Sequence, residues 1–187
     1  MKEYPLLIPP ETISHAKGKD QTKKEAREYF DWLMSVRDER VCSLLSFLEE
    51  DVIQEPHTDL LRIGEKFQKI VRQAEFSHYQ SNDGQLGLTN QGYALAADMG
   101  LLIAELIQRY RPHVGWTIEK RKIITYNTPV LTGFPVMNPD PIRSSIARAF
   151  SVLDGTYQAD AWWSLFDKWM EHTAKTIPTE DASSKAR

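Results

Sequence analysis

The stretch from Thr89 to Tyr110 constrains the fold of this chain more than any other. Tyr93, Leu95, Ala96, Met99, Leu102, Ile103, Leu106, Ile107 and Tyr110 would cover more than half the circumference of a helix, whereas a surface helix carries a narrower apolar stripe. Thr89 is placed to cap the start, and Pro112 bars continuation. A helix that is apolar on so many sides must be packed on several sides, so we place it at the centre of the fold.

The other periodic segments then read as its cover. Thr22 and Glu25 form a capping box ahead of Ala26, Tyr29, Phe30 and Leu33, and a second apolar set follows at Val41, Leu44, Leu45 and Leu48. The polar quartet Arg37, Asp38, Glu39 and Arg40 lies between the sets, so residues 22–50 fit one bent helix or two consecutive ones. Pro56 is read as the end of that region and Thr58 as the N-cap of the next helix, with Leu60, Ile63, Phe67, Ile70 and Ala74 as its stripe. Asp140-Pro141 is an N-cap followed by proline at the first helical position; the helix it opens carries Ile142, Ile146, Ala149, Phe150 and Leu153 and stops at Gly155. A last helix is expected to bury Trp162, Leu165, Phe166, Trp169 and Thr173 and to end before Pro178.

After Gly115 the period shortens. Trp116 and Ile118 alternate with polar residues, and Ile123 to Tyr126 and Val130 to Phe134 are rich in β-branched and aromatic side chains, so two or three short strands are expected. Pro129 should mark a strand's start or edge. Gly133 is expected to meet the small residues Ala96, Ala97 and Gly100 of the central helix. The reading is therefore α+β and mainly helical: one globular domain over residues 1–178 with a central apolar helix and a small antiparallel sheet. Residues 1–20, with Pro5, Pro9, Pro10 and Gly18, form an extended arm anchored by Tyr4, Leu6, Leu7 and Ile8, and residues 179–187 a mobile tail.

Charge narrows the partners. With 23 basic and 26 acidic residues among 187, the net charge is -3, which gives no general attraction to nucleic acid or anionic lipid; either would need a local patch. The basic runs Lys17, Lys19, Lys23, Lys24, Arg27 and Lys120, Arg121, Lys122 are interleaved or flanked by acids and read as solvated faces. No run of apolar residues is long enough to span a bilayer. Neither nucleic acid nor membrane is thus an expected partner. A single cysteine, Cys42, fits a reducing compartment and, amid Val41 to Leu48, reads as buried filler. The expected location is the cytoplasm.

Motifs for chemistry are sparse. Glu75 and His78 have a Glu-x-x-His spacing, but the second copy that helical di-metal sites use is missing, and one cysteine makes no cysteine-rich zinc site. No metal and no cofactor is expected. Neither a nucleophile elbow nor a phosphate loop is present; Gly84 and Gly87 read as turn residues. Asp98 and Glu105, seven residues apart, share a helix face at ~10 Å spacing. That separation suits two carboxylates flanking a water in acid/base hydrolysis. It equally suits a solvated stripe with Arg109, in which Glu105 and Arg109 pair at i,i+4. Among the late aromatics, Trp162, Phe166 and Trp169 share the core stripe, and Trp163, about 100° round the helix from Trp162, is the one that can act as an interface anchor.

The segments EAREYFDWLMS at Glu25 to Ser35, GYALAADMGLLIAELI at Gly92 to Ile107, YNTPVLTGF at Tyr126 to Phe134 and the NPDPIR that follows resemble a group of uncharacterised bacterial proteins. That group shares a Tyr-Phe-x-Trp helix, an apolar helix with Gly and Glu, and a Tyr-Asn-x-Pro-Val-Leu strand. The resemblance implies no activity and no site residue. Size and acidity of this kind are frequent among toxin-neutralising immunity proteins. With no catalytic or cofactor motif in the sequence, the expected function is a non-enzymatic protein-binding protein, of the immunity type, with Trp163 and the Tyr4 to Ile8 arm as contacts. The alternative is a hydrolase-like enzyme in which Asp98 and Glu105 act as acid and base and Tyr126 or Asn127 contacts substrate; it requires both carboxylates to face one concavity.

Overall fold

The computed structural model describes residues 3–13, 20–79 and 86–174. The expected tail, the end of the last helix before Pro178, Lys17, Lys19 and the Ser81 to Gly84 turn lie outside the described residues. The described elements are, in chain order, α1 (Lys23–Phe47), α2 (Pro56–Val71), β1 (Ser77–Tyr79), β2 (Leu86–Leu88), α3 (Asn90–Tyr110), β3 (Trp116–Ile118), β4 (Pro129–Leu131), α4 (Pro141–Leu153) and α5 (Ala161–Ala174). The architecture is α+β and mainly helical.

α3 is the central element. From Ala94 to Ala104 every residue is buried, as are Leu106 and Ile107, because α1, α4 and α5 all pack on it. The Thr89 hydroxyl accepts from Gly92 N–H at its start, as its position in the sequence implies. α2 lies on α5, where the Phe67 and Trp162 rings meet edge to face at 4.8 Å. Gly100 of α3 serves α4: a Cβ there would run into the Pro141 carbonyl, so glycine sets how closely the two helices approach. The expected contact of Gly133 with this stripe is not made. Gly133 has φ 89° and faces His113 and Val114, so a turn geometry, not helix packing, selects it.

Residues 23–47 form one continuous helix. Its polar quartet does not break it, because Arg40 continues the buried Ala26–Leu33 spacing while Asp38 and Glu39 face water. α2 starts three residues earlier than expected, with Glu55 and not Thr58 as its N-cap. Pro56 occupies its first turn, where a missing N–H costs nothing, and the Asp59 carboxylate accepts from the Gln54 and Glu55 amides ahead of it. Thr58 is inside the helix. Cys42 is exposed, one position round from buried Val41, and is not core filler.

Two antiparallel hairpins replace the single sheet read from the sequence. β3 pairs with β4 in the register Trp116↔Leu131, Thr117↔Val130, Ile118↔Pro129, so Pro129 does begin its strand. The segment from Ile123 to Tyr126 forms turns rather than a third strand: Ile123 N–H bonds Arg121 O, and Tyr126 N–H bonds Ile123 O. The other hairpin, β1 with β2, has the register Ser77↔Leu88, His78↔Gly87, Tyr79↔Leu86. Glu75 and His78 consequently do not share a helix face: α2 has ended, and both are exposed.

Candidate functional site

Asp98 departs furthest from expectation. It is the sole acid in the buried run of α3 and is entirely shielded from solvent, not part of a solvated stripe. Arg40, from α1, grips it with two parallel bonds: Nε donates to Oδ1 at 3.0 Å, and Nη2 to Oδ2. The Tyr4 hydroxyl donates to the same Oδ2. Arg40 then reaches outward, donating to the carbonyls of Pro5 at 2.9 Å and Leu6 at 3.3 Å, while its guanidinium lies 5.6 Å from the Tyr4 ring centroid. One arginine thus joins α1, α3 and the arm, and the bidentate fork is the geometry by which guanidinium offsets the desolvation of a buried carboxylate. Burial pushes the Asp98 carboxyl up, and the bonds from Arg40 and Tyr4 pull it back. Burial, then the Asp98 charge, raises the Tyr4 phenol far above its ordinary value, so it is a permanent donor. Every hydrogen-bonding partner of Asp98 is a structural one. Within the arm, Tyr4 is the anchor, Leu7 packs against the core, and Leu6 and Ile8 are exposed.

Glu105 sits elsewhere, half-buried at the rim of a recess of about 40 Å³ with Arg37, Asp38, Val41, Leu101, Gln108 and Trp116. It bonds Arg109 at 3.0 Å, the i,i+4 pair its spacing implies. Asp98 is not on that recess. A volume of this size holds a water or two, well under the ~300 Å³ of a small-ligand pocket. The two carboxylates therefore do not converge on one cleft.

Trp163 lies where an anchor would. α5 points Trp162 inward and leaves Trp163 half-buried, with His57 of α2 edge-on at 4.7 Å and Phe166 tilted against it at 5.7 Å. Tyr110, at the end of α3 and 40% exposed, continues the row by meeting Phe166 edge to face at 6.2 Å. Four rings from three helices thus form a band across one end of the bundle. Among the described residues the Trp163 indole N–H has no acceptor, which leaves it available to one from outside.

The β3–β4 connection holds the last two candidates. Asn127 is buried with φ 60°; its Nδ2 donates to Gln21 O at 2.8 Å and its N–H to Glu119 O. It closes the loop and is shielded from solvent. Tyr126 is half-buried beside it. Glu119, only 2% exposed, accepts from Arg121 at 2.7 Å and from Asn138 Nδ2, which ties this loop to the segment after β4. Arg121 holds the Glu119 carboxyl down at about 2.

Neither a family model nor any curated protein or solved structure matches the chain. No group of three His, Cys, Asp or Glu that could hold a metal ion occurs among the described residues. Within them no helix is long and apolar enough to cross a membrane.

Proposed function

We propose that the protein is a non-enzymatic, cytoplasmic protein-binding protein, of the immunity type, and that it engages its partner through the aromatic band centred on Trp163. The observation that carries this reading is the band itself: His57, Trp163 and Tyr110, each partly in water, are linked by edge and tilted ring contacts through buried Phe166. A tryptophan backed by the buried Phe166 ring, with its N–H unclaimed by the described residues, is what interface hot spots are made of. The confinement of Asp98 to a structural cluster supports the same reading, since it withdraws one of the two groups a hydrolase would use.

Affinity capture with the wild-type chain and Trp163→Ala side by side tests it. The expected result is a stoichiometric protein retained by the wild type and lost from the variant. Capture of nothing, or equal retention by both, overturns the reading.

A further inference from the structure

Away from the aromatic band, two loops at the β3–β4 end of the molecule expose large aliphatic side chains. Ile124 is 69% exposed and Ile123 39% in the first loop; Val136 is 85% and Met137 52% in the second. The loops are held side by side. Arg121 bonds Glu119 in the first and the Val136 carbonyl in the second, Asn138 bonds Glu119, and Arg143 of α4 donates to the Ile124 carbonyl at 3.3 Å. Around the tips stand four cations, Lys120, Arg121, Lys122 and Arg143, all exposed. Among the described residues the Lys120 and Lys122 ammonium groups have no ion-pair partner; of the acids beside the four cations, Glu119 is buried and already matched by Arg121, and Asp140 caps α4 by accepting from the Arg143 N–H. A chain with net charge -3 thus carries the local basic patch that its overall balance lacks.

We infer that this end of the molecule docks on an anionic lipid surface, the Ile124 and Val136 tips entering the headgroup boundary while Lys120, Lys122 and Arg143 lie among the lipid phosphates. Aliphatic tips ringed by cations match a bilayer interface, which supplies apolar depth and negative charge but no shape. A protein partner would instead favour an aromatic or arginine anchor seated in a pocket, and the tips have none. A second copy placed by a two-fold axis would set the lysines against one another. This inference uses a different surface from the aromatic band and stands or falls independently of it.

The test is flotation of the full-length chain with vesicles of phosphatidylcholine alone and with about one third phosphatidylserine. Binding to the anionic vesicles only is expected, stronger by on the order of a hundredfold for several cations at the surface and falling as salt is raised. Ile124→Asp/Val136→Asp and, separately, Lys120→Glu/Lys122→Glu should each weaken it at least about tenfold. All four positions are exposed, so melting curves should match wild type, and Ile124→Ser is a milder replacement should they not. Three outcomes overturn the inference: no flotation with anionic vesicles; equal binding to neutral ones; or binding that survives Ile124→Asp/Val136→Asp, which would mean adsorption by charge or by another face. Loss of a captured protein in these variants, without vesicle binding in the wild type, would make this end a protein interface and would likewise overturn it.

Discussion

Replacing Arg40 with methionine keeps most of the side-chain length and removes both bonds to Asp98 together with those to Pro5 and Leu6. Asp98 has no access to water, so it is left as a buried carboxylate with only the Tyr4 hydroxyl. Breaking one side of such a pair costs about 3–5 kcal/mol, against a total stability of roughly 5–15 kcal/mol for a domain. In a chain of this size that is a drop in melting temperature of roughly 6–20 °C. The pH dependence has a definite sign. Without its cation, the folded-state carboxyl titrates above the unfolded one, so the destabilisation is fullest at neutral pH and shrinks as the pH falls and Asp98 takes up a proton. Removing both charges in Arg40→Met/Asp98→Leu should recover much of the loss, leaving the cost of an unpartnered Tyr4 hydroxyl, about 1–3 kcal/mol. Urea denaturation of the wild type and the two variants at neutral and mildly acid pH measures this directly. An Arg40→Met protein within about 1 kcal/mol of wild type would refute the reasoning, because it would mean that Asp98 is solvated.

Other outcomes follow from the same structure. Glu119, held at about 2 against an ordinary 4.5, stabilises the fold fully above 4.5, and this contribution is lost as the pH falls toward 2; acid titration should show Glu119→Gln with a weaker pH dependence than wild type over that interval. Gly133→Val places a branched side chain at φ 89° against His113 and Val114 at 3.2 Å and should cost on the order of 1–3 kcal/mol in denaturant melts. Gly100→Val should be at least as costly in the same assay, since the Pro141 backbone cannot move without shifting α4. Exposed Cys42 should react one-to-one with a thiol reagent in the native protein, with no change in circular dichroism; labelling only on denaturation would place it back in the core.

What could be read in advance depended on whether the signal was local. The α1 capping box, the Thr89 and Asp140 caps and the buried girth of α3 are properties of short segments, and they are present as read. Pro56 is ambiguous in sequence because proline both stops helices and begins them, and only the Asp59 carboxylate, folding back on Gln54 and Glu55, decides between the two. The Ile123 to Tyr126 run has strand composition, yet the hairpin closes at Asn127 before it can pair. The Asp98 cluster joins positions 58 and 94 residues apart in sequence, which no window could connect. A signal for it did exist: Arg40 falls seven residues after Leu33 and fourteen after Ala26, on the core stripe, and α3 has an acid where only apolar residues belong. The partial exposure of Trp163 followed from its 100° offset, but the ring band around it needed the placement of α2 and α3.

The central claim, that a partner protein is held by the aromatic band, is tested most directly by titrating the captured partner against wild type, Trp163→Ala and Ile124→Asp/Val136→Asp. A central tryptophan anchor is worth about 2 kcal/mol or more, so Trp163→Ala should weaken the dissociation constant roughly thirtyfold or more, while the loop-tip variant binds as wild type does. Equal affinity for wild type and Trp163→Ala, or a larger loss in the loop-tip variant, would contradict the account.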